Sequence, residues 1–101
     1  MFPKTTELKD KKYIEYIKTC PSIIPPDKED FTEIVPHHTG IAFHNHSRKN
    51  VDYTVVPLTL EQHTELHTRG QDSFFIVHHI YPTDIRDSII SLLSEYIRSS
   101  L

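Results

Sequence analysis

Cysteine is almost missing from this chain. Cys20 is the lone one among 101 residues, so no internal disulfide can close and no zinc knuckle can be built on cysteine pairs. A reducing cytoplasm is therefore the default compartment. Long apolar runs are missing too. None approaches a membrane span, and Met1-Phe2-Pro3-Lys4 has no apolar stretch of signal-peptide type behind it. There is no excess of basic residues: a formal net charge of −3 counts modestly against a nucleic-acid partner. Histidines carrying partial charge, or a bound divalent cation, would add positive charge locally, so any DNA affinity is expected from a local site and modest overall. Repeats and low-complexity tracts are absent. The remaining composition, 37% hydrophobic and 25% charged, is too balanced for a disordered chain and suits one small domain over 1–101, with a core of one helix–sheet layer.

Residues 1–8 read as a loose arm. Tyr13, Ile14, Tyr16 and Ile17 form an apolar stripe among Lys11, Lys12, Glu15 and Lys18, which predicts a helix over 9–19, ended by Pro21. Pro25-Pro26 and the acidic run that follows make 21–33 a linker. A short β-like stretch over 33–36 leads into His37-His38, and Thr39-Gly40 permits a bend. Ile41-Ala42-Phe43 reads as extended and 44–50 as a loop. Asp52-Tyr53-Thr54-Val55-Val56 is β-branched and aromatic, hence a strand, which Pro57 is expected to close. Thr59 and Gln62 have capping-box spacing for a helix Leu60–Arg69, with Gly70 just beyond its end. A short helix over 71–79 follows from Phe74, Phe75 and Val77. A last one begins at Pro82 and carries Ile85, Ile89, Leu92, Leu93, Tyr96 and Ile97 as core, or partly as a homodimer face.

Histidine is abundant, 8 of 101 residues. His63 and His67 stand four apart, close to one helical turn, so two imidazoles share a face and can grip one cation. Alone, that spacing is common on solvated helices. With His37-His38 upstream, a third imidazole can join and the fourth stays available for proton transfer, which suits metal-assisted hydrolysis. The middle of the chain is then a β-hairpin followed by a helix, with His-His on the first strand and His-x3-His on the helix. His78-His79 read as helix-end or packing residues, and Cys20 as a small buried one.

Two stretches carry a resemblance: Pro36-His37-His38-Thr39-Gly40, and Asp52-Tyr53-Thr54-Val55-Val56-Pro57-Leu58-Thr59 with His63-Thr64-Glu65-Leu66-His67-Thr68-Arg69-Gly70 and Phe74. They resemble the HNH endonucleases, the ββα-metal nucleases, especially phage-type members and the nuclease colicins. The literal string His44-Asn45-His46 is a decoy, because the family's letters refer to dispersed residues. The resemblance implies an α+β fold whose ββα-metal core (34–70) is flanked by an N-terminal helix and linker (9–33) and C-terminal helices (71–101). It implies His37, His63 and His67 as metal ligands and His38 as general base. The family's Asn has no match here. Asp52, ahead of Thr54, is the nearest candidate for holding the loop that orients the base. Many members also carry a structural zinc on four cysteines. Ser22, Pro25, Thr59 and Gln62 stand at those positions, so none is expected.

The implied activity is hydrolysis of DNA phosphodiester bonds with one divalent ion, Mn²⁺ or Mg²⁺ favoured as the working ion and Zn²⁺ or Ni²⁺ compatible with nitrogen ligands. A single site nicks one strand per encounter. Arg69, near the helix end, is a candidate phosphate clamp, and Arg48 and Lys49 are candidate backbone contacts. DNA in the cytoplasm of a bacterial or phage-infected cell is the expected partner. Two rivals are a catalytically weak relative that binds metal and DNA as an accessory module, and a metal-binding interaction domain with no nuclease role.

Overall fold

The computed structural model describes residues 9–40 and 52–101. The expected loose arm, the 41–43 stretch and the loop with His44, His46, Arg48 and Lys49 lie outside the described residues. The chain is α+β. In order come helix α1 (Lys11–Ile17), strand β1 (Ile34–His38), a 3-10 turn (Asp52–Thr54), strand β2 (Val55–Thr59), and helices α2 (Leu60–Arg69), α3 (Gln71–Val77) and α4 (Pro82–Ser99). The two strands pair antiparallel, with His37 opposite Val56 and His38 opposite Val55. Among the described residues no helix is long and apolar enough to cross a membrane.

The strand expected over 52–56 is displaced. Asp52–Thr54 winds into the turn, and β2 begins at Val55 and runs through Pro57 to Thr59. Pro57 does not close the strand, and the register explains why. Thr39 N–H donates to Thr54 C=O at one end of the ladder and Leu60 N–H to Glu33 C=O at the other. Hydrogen-bonded pairs alternate along an antiparallel ladder, so Pro36 and Pro57, which face each other, fall on a pair that exchanges no hydrogen bonds. Neither missing N–H is needed there, and Ile23 N–H satisfies the outward carbonyl of Pro57 at 3.1 Å.

The sheet separates two apolar clusters. On one face Val56 and Leu58 pack with Ile24, Leu66, Phe74, Phe75, Ile85 and Ile89. On the other Val55 packs with Tyr13 and Ile17 of α1. Leu93 of α4 touches both clusters, so α4 spans them. Each fully buried side chain of this kind stabilises the fold by about 1.5–3 kcal/mol. Of the α4 stripe, Ile85 and Ile89 are buried while Ile97 is exposed.

The helix ends follow local chemistry. Asp10 caps α1 by accepting from Tyr13 N–H, so the helix starts two residues later than its stripe suggests. Thr59 and Gln62 form the expected capping box at the start of α2. Gln62 does more: its Oε1 also takes the Ser22 hydroxyl at 2.5 Å, and its amide donates to Ile24 C=O at 2.9 Å. Ser22, Thr59 and Gln62 are thus drawn together by hydrogen bonds. Helix α3 stops at Val77, short of the expected 79, because Ile80 N–H reaches back to Phe75 C=O and His79 N–H to Ile76 C=O. This pair of bonds closes a helix through a left-handed residue, here His79 with φ 59°.

Candidate metal centre

Cross-strand partners share a face, so His37 lies with Val56 on the side of α2, and its neighbour His38 with Val55 on the side of α1. The two adjacent imidazoles therefore serve different surroundings.

On the first side, α2 leaves β2 directly through its capping box and packs back by Leu66, which is buried. That anchor holds His63 and His67 over His37. Ligand nitrogens of the three rings lie within 4.8 Å of one another. Ring centroids are 5.2 Å apart for His37–His63, 6.2 Å for His37–His67 and 4.4 Å for His63–His67. The Nε2 atoms of His63 and His67 face each other at 3.1 Å. Two nitrogens bound to one ion at about 2.0–2.1 Å sit roughly 2.9–3.4 Å apart, so this pair is already at ligating separation. Only one hydrogen fits between those nitrogens, and a second would set two N–H groups against each other. Burial, and next the neighbouring His67, lowers the His63 pKa from its ordinary value, which keeps its lone pair available near neutrality. Three imidazole nitrogens within 4.8 Å of one another suit a divalent transition ion.

His37 is steadied from behind by Gln71, the first residue of α3. Its Nε2 lies 2.7 Å from Gln71 Oε1, and the Gln71 amide donates to Thr39 C=O at 3.2 Å. A carbonyl can only accept, so the amide end of Gln71 faces Thr39 and its oxygen faces the ring. His37 Nε2 then carries the hydrogen, and the lone pair of the neutral ring is on Nδ1. Such outer contacts orient ligating imidazoles. No motif in the sequence marks Gln71. Only its place beyond Gly70, where two helices meet, brings it to the site.

On the other side, His38 Nε2 lies 2.9 Å from Asp52 Oδ1. The His38 side chain is 33% exposed while that of Asp52 is 7% exposed, so a sheltered carboxylate holds an accessible ring. The contact sets the Nε2–H tautomer and leaves Nδ1 as the basic nitrogen. Asp52 and Thr54 divide the work. Asp52 touches the ring. Thr54 holds the chain leaving β1, with its carbonyl accepting from the Thr39 N–H at 3.2 Å and hydroxyl at 2.7 Å, and its own hydroxyl accepting from Gly40 N–H at 3.3 Å.

Other expected residues lie elsewhere. Arg69 Nε donates to Glu65 Oε2 at 2.9 Å. Residues two apart on a helix point about 200° away from each other, so Glu65 and Arg69 occupy the side of α2 opposite His63 and His67. The phosphate clamp expected of Arg69 is thus not brought to the histidine cluster. His78 also contacts Glu65, at 3.3 Å, and its ring lies 4.6 Å from that of Phe74, while His79 closes α3. Cys20 donates to Tyr16 C=O at 3.4 Å. No family model matches this chain, and neither the curated proteins nor the solved structures contain a match.

Proposed function

We propose that this chain is a metal-dependent DNA endonuclease of the ββα-metal kind, in which His37, His63 and His67 hold one divalent ion and His38 is the general base. One observation carries the reading. Consecutive residues of β1 present one imidazole to a three-nitrogen cluster and the next to a buried carboxylate. A cation site and an oriented base are two parts that metal-assisted hydrolysis of a phosphodiester can use. The proposal requires a substrate phosphate to reach both across the end of β1.

His38 Nδ1 takes a proton from water as the water oxygen attacks phosphorus. The bond from phosphorus to the 3′ oxygen breaks and that oxygen takes a proton from solvent, leaving 5′-phosphate and 3′-hydroxyl ends. Asp52 stabilises the imidazolium that forms and keeps its ring in place. Held by His37, His63 and His67, a divalent ion would supply positive charge against the negative charge that builds on the phosphate and on the leaving oxygen. With one such site per chain, nicking is the expected outcome. Arg69 stays outside this set, since Glu65 engages it.

A second reading is a metal-binding interaction domain without nuclease activity. The net charge of −3 and the engagement of Arg69 by Glu65 favour it, because the chain has no excess of cations and Arg69 is not turned to the histidine cluster.

Supercoiled plasmid incubated with Mn²⁺, Mg²⁺ or chelator, using wild type and His38→Ala, separates the two. Open circles that form ahead of linear DNA, only with metal, and about 10²–10⁴-fold more slowly in His38→Ala are the expected result. Intact plasmid in every lane, while calorimetry still detects a bound ion, would discard the nuclease in favour of the binding domain.

A further inference from the structure

Asp52 is gripped on both of its oxygens. Oδ1 meets His38 Nε2 at 2.9 Å, and Oδ2 accepts the backbone N–H of Asp10 at 2.5 Å. Asp10 is the cap of α1, and its side chain is also used twice: Oδ1 accepts from Tyr13 N–H at 3.1 Å and Oδ2 from the Tyr53 hydroxyl at 2.7 Å. Tyr53 is the neighbour of Asp52 in the 3-10 turn. The turn therefore clasps the start of α1 in both directions, one residue accepting from the backbone of Asp10 and the next donating to its carboxylate. The titration shifts agree with that geometry. The Tyr53 hydrogen bond, followed by that from Tyr13, holds the Asp10 carboxyl below its ordinary value, and the same Asp10 contact is the main cause that pushes Tyr53 up to about 12.

A carboxylate held by one oxygen can rotate, and its second oxygen can offer a different angle to its partner. One held by both cannot. The ring of His38 then has a fixed acceptor on Nε2, and its basic Nδ1 has a fixed direction. We infer that Asp10, with Tyr53, is a positioning residue for His38, acting through Asp52, so that the first helix is part of the catalytic support. This rests on His38 being the base of the proposed reaction. It goes beyond that reading by giving a task to a helix far from it in sequence.

The test uses the full chain. Long-range ¹H–¹⁵N correlation spectra of the imidazoles, recorded at alkaline pH where the rings are neutral, report the tautomer of each histidine. Wild-type His38 is expected as Nε2–H. Tyr53→Phe removes one hydroxyl and leaves the ring against Tyr13. Asp10→Ala removes the acceptor of that hydroxyl. Both are expected to turn His38 into a mixture of tautomers. Both should slow plasmid nicking by about tenfold, a part of what a positioned base contributes, at unchanged KM and unchanged ion affinity. Asp10→Asn keeps one oxygen to accept the Tyr13 N–H and turns its amide N–H toward the Tyr53 hydroxyl oxygen, so it should recover part of both losses. A pure Nε2–H His38 in Tyr53→Phe would overturn the proposal, even if the variant melts earlier, since a purely structural clasp predicts that result. Should Asp10→Ala fail to fold, Tyr53→Phe decides by itself. A wild type that never cuts would instead sink the nuclease reading, and the tautomer of His38 would still judge the clasp.

Discussion

Tyr13 shows how a single polar atom can be a liability. Its ring is fully buried and lies 5.4 Å from Tyr53, 5.0 Å from Tyr96 and 6.2 Å from Tyr16, centroid to centroid. The aromatic contacts explain why a large ring sits there. They do not account for the hydroxyl, which is buried without a hydrogen-bond partner among the described residues. Burial, followed by the neighbouring Cys20, drives its pKa upward, so it stays protonated at every physiological pH. An unpaired buried hydroxyl costs about 1–3 kcal/mol, and removing it while keeping the ring recovers part of that. Tyr13→Phe should therefore raise the melting temperature by a few degrees, at about 4–8 °C per kcal/mol for a chain of this size. Differential scanning calorimetry settles it. A clear drop in Tm would mean that the hydroxyl has a partner worth more than its desolvation. The contrast with Tyr53 is informative, because there the same group donates to Asp10 and its removal should cost function rather than return stability.

Helix ends show which features are legible in the sequence and which are set by the fold. Helix α2 was legible to the residue, because Thr59 and Gln62 announce its start by side-chain chemistry and Gly70, at φ 89°, ends it in a conformation that suits glycine. Asp52-Tyr53-Thr54 reads as strand by composition and folds as a 3-10 turn. Its side chains favour a pleated surface, but the turn is imposed from outside by Asp10, Thr39 and Gly40, and no local pattern records those partners. Pro57 reads as a strand end, yet β2 runs through it, because its place in the ladder depends on a register that the sequence does not display. The candidate site divides the same way. His-x3-His and His-His declare themselves by spacing, whereas Gln71 and Asp10 reach it only through the fold. The end of α3 gives an element-level prediction. His79 occupies the left-handed position of a helix close, φ 59°, where a Cβ costs about 1 kcal/mol or slightly more. His79→Gly should raise Tm while leaving ion affinity as in wild type. If Tm falls instead, contacts of the His79 ring outweigh the backbone strain, and the helix end is held by packing rather than by its two reaching N–H groups.

The whole molecule is organised around a thin two-stranded sheet with a separate apolar cluster on each face, and the proposed chemistry is divided along the same line. The ion site joins β1 to α2 on one face, and the base with its carboxylate joins β1 to the 3-10 turn and α1 on the other. An ion on His37, His63 and His67 would tie a strand to a helix, and only the folded chain holds the three rings together. Binding is then coupled to folding: free ion at ~1,000 times its Kd stabilises the native state by about 4 kcal/mol. The sign with pH follows from His63, whose folded pKa is lowered by burial and by His67. The unfolded chain takes up the proton first, near the ordinary imidazole value of about 6.5. The contribution of His63 to stability is therefore complete above that value and is lost as pH falls through the folded one. Protons also compete with the ion for the same nitrogens, so both effects point the same way. Melting curves with and without Zn²⁺ or Ni²⁺, at about pH 7.5 and roughly pH 5.5, on either side of the imidazole value, check this. The ion should raise Tm strongly at the higher pH and little at the lower one. His63→Gln should lose the ion-induced rise and, without ion, should lose less Tm on acidification than wild type. A metal-induced rise that persists in His63→Gln, or that is as large in acid as at neutrality, would place the ion on other residues and remove the cation site from the proposed mechanism.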